Sequence, residues 1–94
     1  MSDATTGTAT RVVLSYDPEA IDDLSRYWVE DELSGESFEG RVRRTYGAVA
    51  EGDTLVEAVS KGCGVPVEVT LRVEGLDGGT AVGEGTAVEV RRRA

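Results

Sequence analysis

The stretch FEGRVRRTYG, Phe38 to Gly47, places three arginines within four residues of a chain whose formal charge is −8. Alternate positions group Phe38, Val42 and Tyr46 on one side and Glu39, Arg41, Arg43 and Thr45 on the other, the period of a half-buried strand. Read in this way, Arg41 and Arg43 point to water. Arg44 shares the core side with Val42 and Tyr46, where it requires a sheet edge or an internal carboxylate.

Upstream, RVVLSY (Arg11–Tyr16) is rich in β-branched residues and stops at a turn signal, as a short strand does. DPEAIDDLSRYWVEDEL (Asp17–Leu33) then predicts a helix with Asp17 as N-cap, Pro18 at the first helical position and Glu19 in the first turn. Ala20, Ile21, Leu24, Tyr27 and Trp28 form one apolar stripe. Asp22, Asp23, Glu30 and Asp31 take the outer face, as a solvated helix surface rather than as ligands for a hard cation, and Ser34-Gly35 closes the helix. Residues 1–10, made mainly of Ser, Thr, Ala and Gly, read as a disordered tail before a single domain over 11–94.

Downstream, GDTLVEAVSKG (Gly52–Gly62) reads as a short helix with Asp53 as N-cap, a Glu57 to Lys61 pair and Gly62 at the stop. A strand is the alternative, since Thr54, Val56 and Val59 are β-branched. VPVEVTLRVEG (Val65–Gly75) is the cleanest strand, with Val65, Val67, Val69, Leu71 and Val73 inward and Pro66 marking a strand start or an edge. GLDGG (Gly75–Gly79) reverses the chain, and Gly83 and Gly85 mark a bulge or second turn before a last strand over Thr86–Arg91. The expected fold is α+β. A small mixed or antiparallel sheet of about four strands carries one long and one short helix on one face, in the order β-α-β-α-β-β.

EGDTLVEAVSKG followed by two strands also resembles the approach to the helix in β-grasp domains, the ubiquitin-like family that includes sulfur carriers and plant-type ferredoxins. The resemblance covers about the second half of the chain and implies an alternative β-grasp-like topology. It implies no activity, because the chain ends RRRA rather than in paired glycines and one cysteine cannot hold a cluster. Only Ala48 to Glu51 separate Gly47 from Gly52, too little for the hairpin such a fold needs before its helix.

With no histidine and a single cysteine, Cys63, the chain lacks the side chains for histidine-dependent triads, an internal disulfide or a multi-cysteine metal centre. No cofactor and no metal are expected. Cys63, in KGCGVP after the second expected helix, reads as a small apolar residue rather than a nucleophile. No run approaches the roughly 18 to 20 apolar residues of a membrane span, and MSDATTGTAT has no basic or apolar leader, so a cytoplasmic location without membrane contact is expected. Eighteen carboxylates stand against nine arginines and one lysine, and Asn and Gln are absent. That balance suits a salt-adapted, halophilic archaeal cytoplasm, with compositional bias in a GC-rich bacterium as the alternative.

Arg41, Arg43 and Arg44 with Arg91, Arg92 and Arg93 would share one surface if the last strand lay beside the Phe38 strand. Tyr46 would be available there for stacking against an anion or RNA. Acidic net charge weakens nucleic-acid binding and favours surface ion pairs. The expected role is therefore a small acidic, non-enzymatic protein-interaction domain, a homodimer or complex subunit. It would make contact through the edge at Val65–Glu74 and the face bearing Tyr27, Trp28 and Tyr46. An RNA or small-anion module is the alternative.

Overall fold

The computed structural model describes residues 7–60 and 66–93. Strand β1 (Arg11–Tyr16) is followed by a short 3-10 turn (Pro18–Ala20), helices α1 (Asp23–Leu33) and α2 (Glu36–Thr45), and strands β2 (Thr54–Val59), β3 (Val67–Asp77) and β4 (Ala87–Arg92). The class is α+β, as the sequence implies: a four-stranded mixed sheet and two helices. Strand order is β2-β3-β1-β4, with β3 antiparallel to both neighbours and β4 parallel to β1.

Two segments exchange identity relative to the sequence reading. Phe38–Tyr46 is no strand; it is α2 with Tyr46 as its C-cap. Phe38 and Val42 are four apart, a spacing that satisfies both a strand and a helix, and the acids at Glu36 and Glu39 with the bases at Arg43 and Arg44 complement a helix dipole. On a helix Arg44 has no reason to enter the core, and it is exposed. Conversely, Thr54–Val59 of the expected short helix is β2, with Leu55, Glu57 and Val59 buried and the residues between them exposed. Asp53 caps a turn rather than a helix, its Oδ2 accepting from Ala50 N at 2.9 Å. The two helices are therefore consecutive and nearly equal, at 11 and 10 residues. The β-grasp likeness loses the helix on which it rested. Lys61, Gly62, Cys63 and Val65 lie outside the described residues, as do the expectations placed on them.

The expected Asp17–Leu33 helix is interrupted. Asp17 Oδ1 accepts from Glu19 N at 3.0 Å and Pro18 occupies the first position, but the turn ends at Ala20 and Ile21 is extended. Asp22 then caps α1, accepting from Leu24 N at 3.1 Å. Two caps five residues apart reset the helical phase. α1 buries Val29 and Leu33, while Leu24 and Tyr27 of the expected inward stripe are 90% and 85% exposed.

One face of the sheet carries the core. Val12, Leu14 and Tyr16 of β1, Val69, Leu71 and Val73 of β3, Leu55 and Val59 of β2, and Val88 of β4 are buried together with Val29, Leu33, Phe38 and Val42 from the helices. Burying Val and Leu side chains contributes roughly 1.5–3 kcal/mol each, so this core rests on many modest terms. The opposite face bears Arg11, Ser15, Arg72, Glu89 and Arg91, joined by ion pairs such as Arg11–Glu89 at 3.2 Å and Arg72–Glu74 at 2.8 Å. Glu74 is the extra residue where the β1/β3 register shifts. Its carboxyl is held below the usual range by hydrogen bonds from Ser15 and Arg72, and that of Glu89 likewise by Arg91.

Between β3 and β4 the chain turns at Gly78, whose φ of 94° suits glycine, and passes around the start of β1. Residues 7–10, expected in the tail, belong to this wrap. Ala9 is buried, its N–H donates to Ala81 O at 2.7 Å, and its carbonyl accepts from the buried Thr86 hydroxyl at 2.7 Å. Residues 1–6 lie outside the description. Among the described residues no helix is long and apolar enough to cross a membrane.

Candidate functional site

The six residues singled out from sequence do not form one surface. β4 lies beside β1 at the opposite edge of the sheet from β2, and no Phe38 strand exists for it to join. Arg91 is on the outer face, bound to Glu89 at 2.5 Å, and Arg92 is on the helix side, bound to Glu30 at 2.9 Å. Arg43 donates to Thr86 O at 3.1 Å and pairs with Glu39 at 3.8 Å. Only Arg41 and Tyr46 share a partner, Glu57. The described part of the suspected edge at Val65–Glu74 is interior, since β3 (Val67–Asp77) is flanked by β2 and β1.

What the structure does assemble is a pair of Tyr–Glu–Arg clusters that tie each helix to the sheet. The Tyr46 hydroxyl donates to Glu57 Oε2, Arg41 Nε lies 3.3 Å from Glu57 Oε1, and Arg41 Nη2 donates to Ala58 O at 3.0 Å. At the other end of the sheet the Tyr16 hydroxyl donates to Glu30 Oε2 at 2.6 Å, the oxygen that Arg92 also meets. Burial first, and then the neighbouring carboxylate, pushes both phenols up to about 12. They remain protonated donors at neutral pH. Glu57, 9% exposed, is the one acidic residue among the described residues that is buried, and its presence in an otherwise apolar row hid the strand period from a sequence reading.

A second feature was misread rather than unseen. Leu24 and Tyr27, three apart on α1, stand side by side in water with Trp28 half-buried beside them. Residues 17–36 around them carry eight carboxylates and one arginine, Arg26. Arg26 is itself engaged with Asp23 at 2.8 Å. The apolar pair is thus ringed by negative charge. The sequence puts these residues on one apolar stripe turned to the core, yet also makes Tyr27, Trp28 and Tyr46 a contact face. Of these Tyr27 is exposed, whereas Trp28 and Tyr46 pack against the core.

The sequence model of one family matches residues 3–94. The chain belongs to DUF7968, a family of unknown function. No curated protein and no solved structure matches this DUF7968 chain. Among its described residues no group of three or more His, Cys, Asp or Glu side chains is placed to hold a metal ion.

Proposed function

We propose that the protein is a small acidic, non-enzymatic interaction domain of a salt-adapted prokaryotic cytoplasm, docking a protein partner on the exposed face of α1. The observation that carries this reading is the pair Leu24 and Tyr27, 90% and 85% exposed on a helix whose other apolar residues are packed. Leaving a leucine and a tyrosine in water forgoes burial that would contribute roughly 1.5–3 kcal/mol for the leucine alone, and a partner recovers it. The rim of carboxylates favours a partner with Lys or Arg around an apolar patch. It disfavours a twofold contact of α1 on α1, where like charges would meet. A non-enzymatic role is supported by the clusters at Glu57 and Glu30, whose carboxylates are engaged by arginine and whose phenols are held protonated. RNA binding has less support than it had from sequence, because the arginine row is a helix and four of its six members are tied to carboxylates on separate elements.

A photo-crosslinking side chain at position 24, used in the native host, should give a discrete protein adduct that Tyr27→Asp removes. The same side chain at exposed Glu51 should give none. Equal or absent adducts from the two positions would count against the α1 face. Light scattering at low and molar salt separates a heterologous partner from self-association.

A further inference from the structure

The geometry points to a binding site for a small monocarboxylate with a short apolar body, in the cleft between α2 and the end of β2. The cleft is about 280 Å³, with the buried Phe38 and Val59 as its apolar floor and the exposed Ser37 and Ser60 at its rim. Arg41 and Arg44 both line it. Arg41 is oriented by Glu57 and the Ala58 carbonyl, which offset its charge. Arg44 differs: among the described residues it is the one arginine with neither an ion pair nor a hydrogen bond. Its guanidinium folds back along the helix over Gly40, with Nη1 3.1 Å from the place a Cβ would take. A mid-helix glycine is unfavourable to the helix, and here it leaves room for a free cationic fork beside an apolar floor.

The ligand class follows from what surrounds that fork. A carboxylate matches the guanidinium in a two-point, charge-assisted contact, and the floor of Phe38 and Val59 takes an alkyl or aryl body. Glu32 also lines the cleft, and with the net charge of −8 it disfavours multiply charged anions such as phosphates or a nucleic-acid backbone. This site is separate from the α1 face and stands or falls without it.

The test is an NMR titration of the full-length, isotope-labelled chain with butyrate, inorganic phosphate and butylamine in parallel. Butyrate should shift the Ser37 and Ser60 amides and the Arg44 Nε–H signal along saturable curves, while phosphate and butylamine should not. Arg44→Ala should weaken butyrate by about tenfold, the loss expected for one charge-assisted contact. Arg44 is exposed and unpaired, so this variant should keep the native spectrum. Arg91→Ala, on the other face of the sheet, should bind as the parent does. Linear, unsaturated shifts, or an unchanged affinity in Arg44→Ala, would overturn the site. Phosphate binding as tight as butyrate would overturn the ligand class.

Discussion

Glu57 shows how one residue can organise its surroundings. A carboxylate on the core side of β2 is unfavourable unless its lone pairs are used, and Tyr46 and Arg41 use them from α2. Tyr46→Phe should therefore cost about 1 kcal/mol in denaturant unfolding, the net value of one hydrogen bond. Glu57→Ala should cost more, about 2–3 kcal/mol, because it strips both Tyr46 and Arg41 of a partner at once. The phenols also set a pH response. Their folded values near 12 lie above the ordinary 10, so the folded state holds protons that the unfolded chain has released. The contribution is intact below pH 10 and is lost as pH rises toward 12. Unfolding midpoints followed across that window should fall with pH, less steeply in Tyr16→Phe and Tyr46→Phe. A flat profile in the parent would contradict the two clusters.

Elements are distinguished by where their glycines and leucines stand. Gly52 precedes β2 with φ of 94°, a left-handed conformation, so Gly52→Ala should destabilise by about 1 kcal/mol. Gly40 lies inside α2 without that constraint, and Gly40→Ala should stabilise by about 0.5–1 kcal/mol, less whatever the Arg44 guanidinium loses by moving aside. If residues 38–46 were a strand, the second substitution would bring no such gain. On α1 the same residue type gives opposite outcomes. Leu33→Ala, at 1% exposure, should cost about 2–4 kcal/mol, and Leu24→Ala, at 90%, should stay within about 0.5 kcal/mol. Equal costs at the two positions would mean that α1 buries the stripe its sequence suggests.

The whole molecule carries a net charge of −8; among the described residues most cations are already paired, and carboxylates such as Asp31, Glu32 and Glu36 make no ion pair. Self-repulsion of that size is screened within a Debye length of about 3 Å at 1 M salt and of about 10 Å at 0.1 M. Thermal melting should therefore shift upward in molar KCl. Indifference to salt would favour mere compositional bias over salt adaptation. The two sheet edges also differ. The β4 edge is lined with Glu89, Arg91 and Arg92, whereas β2 exposes Thr54, Val56 and Ala58 and is covered near its end by Arg41. That arginine occupies an edge carbonyl that another strand would otherwise need.

Local chemistry was enough to place β1, β4, most of β3, the caps at Asp17 and Ser34, a glycine turn after β3 and the α+β class, although the reversal read over Gly75–Gly79 begins only at Gly78 because Gly75, Leu76 and Asp77 extend β3. Each of these is written within a few residues, as a β-branched alternation, a side chain that reaches its own backbone, or a glycine where φ must be positive. The middle of the chain was not decided locally. Phe38 and Val42, four residues apart, suit a strand and a helix equally, and Glu57 breaks the alternation that would have announced β2. Only the tertiary structure resolves both, because β2 fills the place beside β3 and brings Glu57 under Tyr46 and Arg41. A helix then remains for α2 to cover the core. The phase of α1 is likewise a tertiary outcome: Asp22 recaps the chain after Ile21, and the sheet accepts Val29 and Leu33 while Leu24 and Tyr27 are left to water.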